Sequence, residues 1–286
     1  MRPYLTTPDV IDHYLAAGQW TRETMVDRYR THAKTHPDRV ACRDGDSTYS
    51  WAELDTVSDR LAANLIDLGI QRDATALVQI PSSCREIVLR VALKKAGVIG
   101  IFTPLQWRRR ELSYVWERID PSIIVMSSEK LETGVTDWLE DLIDSFSGRP
   151  TGLRCCIDMA ENVAAGWIGW QGLLEDTPQA DSLDRIAERQ FNFDEISLVT
   201  ASSGTSGLAK LCEWPEGAQV CNSRVLQERM AISEGDIIGI FAPMSGAAGL
   251  MMWMTSWTVP CTTAFPENYR AATLLNFVTE AGITAG

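Results

Sequence analysis

Basic residues are scarce in this sequence relative to acidic ones. Its 286 residues include 26 Lys and Arg against 38 Asp and Glu, which gives a formal net charge of −12 at pH 7. Contacts to a nucleic-acid backbone need clustered Lys and Arg side chains. The one tight basic run, at positions 108–110, is followed at once by Glu111, a pattern typical of a solvated helix start. The charge balance therefore argues against a nucleic-acid partner.

The sequence also lacks the cysteine spacing of a disulfide scaffold or a zinc site. Seven cysteines occur, an odd number at irregular intervals, and no two of them form a CxxC pair. They are Cys42, Cys84, Cys155, Cys156, Cys212, Cys221 and Cys261. Because both kinds of site need paired or regularly spaced ligands, we expect buried thiols in a reducing compartment.

Long apolar runs are missing as well. The most apolar segment, residues 249–260, contains Thr255, Ser256 and Thr258 and is too short to cross a bilayer. The start of the chain carries Asp9 and Asp12 and has no apolar stretch, unlike a secretory signal. We therefore expect a cytoplasmic protein without a membrane span.

What the sequence does contain is an alternation of short apolar runs with amphipathic segments. The short runs predict strands at residues 74–80, 98–102, 123–126, 153–157, 197–200 and 236–241. The amphipathic segments predict helices at residues 21–35, 50–68, 82–96, 111–119, 138–146, 220–230, 249–257 and 271–280. This alternation predicts an α/β fold with mainly parallel sheets covered by helices.

The helix predicted at residues 50–68 has the clearest local signals. Ser50 is a plausible N-cap, and Glu53 stands three residues later, which together make a capping box. Apolar residues recur at steps of three and four and predict one buried face. They are Leu54, Val57, Leu61, Leu65 and Leu68. Gly69 then ends the helix.

The middle of the chain, residues 129–188, breaks the alternation and suggests a division. We place two stacked α/β subdomains at residues 1–189 and 190–286. Residues 283–286 begin a further apolar segment, which predicts one more buried strand. A sheet that stops at the start of a strand suggests that the chain is a fragment.

The segment from Ser202 to Lys210 has the composition of a phosphate-binding loop. Glycines allow a close approach of the backbone to an anion, successive backbone N–H groups form an anion nest, and a lysine adds positive charge. The loop is not a Walker A motif, because Ala209 precedes the lysine and Leu211 follows it. By itself it is equally compatible with a flexible Ser/Gly turn that carries one solvated lysine.

The sequence SSGTSGLAK at residues 202–210 resembles the [ST]SGTTGxPK signature of the adenylate-forming superfamily. Residues 48–54 (TYSWAEL) with 60–65 (RLAANL) are similar to the family's TYxELxxxxxxLAxxL helix. Residues 92–97 (ALKKAG) with 103–105 (TPL) are similar to its KAGxxxxPL segment. The three motifs occur in the family's order. The chain is thus identified as resembling the N-terminal part of acyl-CoA and aryl-CoA synthetases and related adenylation domains.

The resemblance implies an enzyme that uses ATP and Mg²⁺ to activate a small carboxylic acid as its acyl-AMP. Coenzyme A is the implied acceptor. The residues implied in binding the phosphates are Ser202, Ser203, Gly204, Thr205, Ser206, Gly207 and Lys210. Thr205 and Lys210 have the implied catalytic roles, and the metal ligands are left open. Ser206 and Ala209 replace the usual Thr and Pro, which removes no phosphate donor.

Residues 242–249 (APMSGAAG) resemble the P-L-x-H-x-x-G turn that borders the acid pocket in many members. Ser245, Gly246 and Ala247 are therefore the implied substrate-pocket residues. Gly246 stands at the position of the usual histidine, and two interpretations are equally open. The small residues leave room for a bulkier acid, or Gly246 and Gly249 only permit a tight turn.

The family's later motifs do not occur in these 286 residues. They are the adenine-contacting loop, the ribose-binding acidic residue and the C-terminal lid domain with its lysine. We therefore expect this chain alone to be inactive. Two alternatives stay open, namely an enzyme that loads an aryl or amino acid onto a carrier protein, and a non-catalytic truncated remnant.

Overall fold

The computed structural model describes residues 6–45, 47–127, 152–161, 163, 165–202 and 209–286. The helices are α1 (Pro8–Ala16), α2 (Met25–Thr35), α3 (Trp51–Asp67), α4 (Cys84–Lys95), α5 (Arg109–Ile119), α6 (Trp170–Glu175), α7 (Ala180–Arg189), α8 (Glu216–Met230), α9 (Ala247–Met254) and α10 (Ala271–Glu280). A short 3₁₀ helix, Thr255–Trp257, follows α9. The helix predicted at residues 138–146 lies outside the described residues.

The strands are β1 (Val40–Arg43), β2 (Thr48–Ser50), β3 (Thr75–Gln79), β4 (Ile99–Phe102), β5 (Ile123–Met126), β6 (Cys155–Asp158), β7 (Ile168–Gly169), β8 (Ile196–Ser202), β9 (Lys210–Pro215), β10 (Ile237–Gly239) and β11 (Thr262–Ala264). Every strand predicted from an internal apolar run is present. The structure adds five that the sequence did not predict, β1, β2, β7, β9 and β11, each at most six residues long.

The larger sheet has seven strands in the order β7-β6-β5-β3-β4-β8-β9. Its first six strands are parallel, and only β9 runs antiparallel, at the edge next to β8. All four residues of β4 and of β5 are buried, as expected of strands covered on both faces. The predicted α/β class with mainly parallel sheets is confirmed.

The smaller sheet has four strands in the order β10-β11-β1-β2. Strands β10, β11 and β1 are parallel, and β2 is antiparallel to β1. At the outer edge of β10, Ala285 forms a parallel bridge with Ile238. The predicted strand at residues 283–286 is therefore reduced to this bridge, and Ile283 and Ala285 are half-buried rather than buried.

The position that we chose between residues 189 and 190 does not separate these two sheets. Strands β8 and β9 follow it in sequence but complete the larger sheet. Strands β1 and β2 precede it but join β10 and β11 in the smaller sheet. The physical reason is that strand partners are chosen by long-range packing, whereas the sequence periodicity reports only local structure.

Helix α4 runs through the core and carries four charged side chains that are nearly or fully buried, Glu86, Arg90, Lys94 and Lys95. One cluster of buried apolar side chains joins Cys42 of the smaller sheet to Val78 of the larger sheet. The capping box predicted for α3 is confirmed, because Ser50 and Glu53 exchange both hydrogen bonds. All seven cysteines are free thiols, but only three of them are buried and Cys212 is exposed, so the expectation of buried thiols is confirmed only in part.

Candidate functional site

The predicted phosphate loop connects β8 to β9. Ser202 is the last residue of β8 and lies opposite Lys210, the first residue of β9, in the antiparallel register. Lys210 is exposed, and Ala209 beside it is buried. Ser203, Gly204, Thr205, Ser206 and Gly207 lie outside the described residues, so their roles stay a prediction.

The element that follows this loop is a strand, and this distinguishes its structure from that of a Walker A motif. A Walker A loop joins a strand to a helix, whereas here β8 and β9 form a hairpin. The Trp214 indole N–H donates a 2.9 Å hydrogen bond to the Thr200 hydroxyl across the two strands. Strand β9 was not predicted, because its exposed and half-buried residues do not alternate cleanly.

A buried polar network anchors the start of this hairpin. Lys94 forms an ion pair with Glu216 and donates hydrogen bonds of 2.7 Å to the Ser197 hydroxyl and 2.9 Å to the Gln219 side-chain oxygen. The other carboxylate oxygen of Glu216 accepts a 2.8 Å bond from the Met25 amide. Burial lowers the pKa of Lys94, and the Glu216 charge opposes that shift. Strand β8 is thereby tied to α2, α4 and α8.

The predicted acid-pocket segment, residues 242–249, forms a turn and the start of α9, which together we call the pocket turn. The Met244 amide donates a 2.8 Å hydrogen bond to the Ser82 hydroxyl. The Met244 carbonyl accepts a 2.9 Å bond from the Arg90 guanidinium. Ser245 is half-buried, and Gly246 and Ala247 are exposed. The main chain of the turn is therefore bound to the protein at the buried residue Met244, and the small residues after it are half-buried or exposed.

The two glycines of this segment have different structural roles. A Cβ atom on Gly249 would lie 2.7 Å from the Pro243 carbonyl oxygen, so the turn requires a glycine there. A Cβ atom on Gly246 would meet that oxygen at 3.5 Å, an ordinary contact. Gly246 also has an extended backbone, with φ −101° and ψ 160°, which any residue adopts. The tight-turn interpretation thus accounts for Gly249 and not for Gly246.

The hairpin and the pocket turn lie at the same edge of the larger sheet. Strands β3, β4 and β8 are adjacent and parallel, so their carboxyl ends share one edge. The loop of the hairpin leaves the carboxyl end of β8, and Ser82, which binds Met244, follows shortly after β3. Open α/β sheets bind ligands outside the carboxyl ends of their strands.

The described residues contain no cluster of three or more His, Cys, Asp or Glu side chains that could hold a metal ion. Within the same ranges, no helix is both long enough and apolar enough to cross a membrane.

The chain belongs to the family of AMP-binding enzymes, whose model matches residues 29–285. The resemblance to adenylate-forming enzymes is therefore confirmed, and ATP-dependent ligation is the activity of this family.

Two similar proteins of this family are named for aryl acids. The chain is 28% identical to the 2-hydroxy-7-methoxy-5-methyl-1-naphthoate–CoA ligase of Streptomyces carzinostaticus, over 71% of this chain and 36% of that protein. It is 26% identical to the salicyl-AMP ligase / salicyl-S-ArCP synthetase of Mycobacterium tuberculosis, over 78% of this chain and 39% of that protein.

The fold is similar to the apo structure of Mycobacterium smegmatis MbtA, with a TM-score of 0.85 and 25% identity. The match covers 96% of this chain and 49% of that structure. The chain thus spans about half of this solved relative and less than two fifths of these two curated ones.

Proposed function

We propose that this chain supplies the phosphate-binding hairpin and one wall of the acid pocket in an enzyme that activates an aryl carboxylic acid as its acyl-AMP. The observation that carries the proposal is the shared sheet edge of the β8–β9 hairpin and the pocket turn. An acid carboxylate must meet the α-phosphate of ATP, so a phosphate loop and an acid pocket belong side by side.

Lys210 and the loop before it fit the phosphates of ATP. The lysine is exposed at the first position of β9, where its ammonium group can reach phosphate oxygens outside the strand ends. Ser202, Ser203, Gly204, Thr205, Ser206 and Gly207 are proposed to add hydroxyl and backbone donors. Mg²⁺, when bound with the nucleotide, would neutralise the charge that develops on the departing pyrophosphate. Thr205 and Lys210 are proposed to stabilise that same charge.

Gly246 supports an acid of aryl size. Its backbone accepts any side chain, so the turn itself does not demand a glycine at the position where many relatives carry histidine. Ser245 is half-buried and Gly246 and Ala247 are exposed, so these small residues leave a surface that a ligand can reach. The two curated relatives described above act on a naphthoate and on salicylate, which are rigid aromatic acids.

The acceptor of the acyl group is either coenzyme A or the thiol of a carrier protein. One relative is named as a CoA ligase and the other as a synthetase that loads an aryl carrier protein. The described residues favour neither acceptor, so both belong to the proposal.

Acid-dependent exchange of pyrophosphate into ATP tests the proposal on the complete gene product. We expect exchange with aryl acids such as salicylate and weaker exchange with fatty acids. A Gly246→His variant, compared with Gly246→Ala, is expected to lose bulky aryl acids first. Adding coenzyme A or a phosphopantetheinylated carrier protein then identifies the acceptor. Absence of exchange with every acid would contradict the proposed activity.

A further inference from the structure

Helix α4 carries a buried ion pair, Glu86–Arg90, that also has contacts outside the helix. The Arg90 Nε and Nη2 atoms donate to one oxygen of Glu86, at 2.9 and 2.6 Å. The two side chains are only 3% and 1% exposed. Removing a charged pair from water is costly, so such a pair needs strong compensation from its surroundings.

The compensation extends from α4 to the pocket turn. Arg90 Nη2 also donates to the Met244 carbonyl, 154 positions away in the chain. The guanidinium carbon lies 3.5 Å from the centre of the Phe102 ring, so the planar group is stacked as well as hydrogen-bonded. A lysine could not make the forked and stacked contacts together. The site is therefore specific for arginine.

The pocket turn is held from both sides by residues on or just before α4. Met244 is 1% exposed, its amide binds Ser82, and its carbonyl binds Arg90. The turn is closed by a 3.0 Å hydrogen bond from the Gly246 amide to the Pro243 carbonyl. These bonds fix the main chain at Met244, the residue immediately before Ser245.

We propose that Glu86 and Arg90 are positioning residues for the carboxylic-acid pocket. They hold the main chain of Met244, and through it the pocket turn, in the conformation that presents Ser245, Gly246 and Ala247 to the acid. Arg90 makes the contact, and Glu86 orients Arg90 and balances its charge. The acid-binding part of this inference rests on the proposed function, whereas the hold on the turn does not.

Hydrogen exchange of the Met244 and Gly246 amides tests the hold on the turn. The decisive variant is Glu86→Met/Arg90→Met, which removes both charges together. Replacing a buried ion pair by apolar residues is often neutral or stabilising, so this protein is expected to fold. Losing a charge-assisted bond should speed exchange at both amides about tenfold to a hundredfold.

The controls separate this effect from a general loss of stability. Arg90→Lys keeps the charge but not the fork, and is expected to loosen the turn as the double variant does. Arg85→Lys makes the same chemical change five residues earlier on α4, where Arg85 donates to the Met159 carbonyl, and should leave the pocket turn unchanged. Amides of β3 serve as the internal reference. Unchanged exchange at Met244 and Gly246 in the folded double variant would overturn the proposal.

The kinetic readout concerns the complete gene product. In the double variant the KM for the acid should rise about tenfold or more, since small misplacements are costly, while the KM for ATP stays within about twofold. Equal changes in both constants would overturn the positioning role. If the unmodified protein activates no acid at all, the proposed function fails, and the exchange data still decide whether the pair holds the turn.

Discussion

The Lys94–Glu216 pair allows a quantitative test of how the hairpin is anchored. We consider Lys94→Met, which keeps the length of the side chain and removes its ammonium group. Lys94 is 5% and Glu216 is 1% exposed, so the variant leaves a carboxylate buried without its cation. Removing one partner of a buried ion pair typically costs about 3–5 kcal/mol. With an unfolding entropy of about 2.1 cal/mol/K per residue, 286 residues give about 0.6 kcal/mol/K, so the melting temperature falls by about 5–8 °C.

A second variant tests whether the loss in free energy of unfolding comes from the unpaired Glu216 carboxylate. Lys94→Met/Glu216→Gln removes both charges, and the glutamine oxygen can still accept from the Met25 amide. We expect the double variant to recover more than half of the lost free energy of unfolding. Lys34→Met, at an exposed position of α2, is the matched control and should change it by less than about 0.5 kcal/mol.

The assay is urea unfolding followed by tryptophan fluorescence, with the melting temperature as a second measure. The reasoning would be refuted if Lys94→Met cost less than about 1 kcal/mol, the size of an exposed pair. It would also be refuted if the double variant were no more stable than the single one. Either outcome would mean that water or another cation compensates Glu216.

Three further predictions follow from the same contacts. Lys210→Ala should slow the ATP-dependent step about tenfold to a hundredfold, because it removes one charge-assisted contact worth roughly 1.5–3 kcal/mol; its melting temperature should hardly change, and the reverse pattern would assign Lys210 a structural role. Gly249→Ala should destabilise the fold by about 1–3 kcal/mol through the clash with the Pro243 carbonyl, whereas Gly246→Ala should be neutral or slightly stabilising in urea unfolding. Burial lowers the pKa of the His32 imidazole to about 4. The contribution of His32 to the free energy of unfolding is therefore fully present above the unfolded-state pKa of about 6.5 and is lost as the pH falls toward 4. Between pH 7.5 and pH 5, the free energy of unfolding should fall by about 2 kcal/mol more in the parent than in His32→Asn.

The local signals of the sequence predicted several helices and strands well. The strand Ile123–Met126 and the helix Ala271–Glu280 have the predicted bounds. The basic run at positions 108–110 begins α5, as its pattern indicated, with Arg108 at the N-cap. These features depend on periodicity and capping within a few residues, which the sequence displays directly.

The residues that hold the site together were not predictable in the same way. Lys94 belongs to the motif ALKKAG, but the sequence around it does not predict its contact with Glu216, 122 positions later. No sequence signal marks Arg90, although it contacts the pocket turn. A charged residue on an amphipathic helix is normally read as solvent-facing, and only the packing of α4 in the core reverses that expectation.

The sequence by itself determined the α/β class and the family to which the chain belongs, and it predicted a phosphate-binding loop from Ser202 to Lys210. The tertiary structure alone decided which strands share a sheet, that β9 turns the loop into a hairpin, and that Gly249 but not Gly246 is needed by the turn. The reason is physical. Helix and strand periodicity is encoded within a few residues, whereas sheet partners, buried ion pairs and close backbone contacts arise only when distant segments pack together.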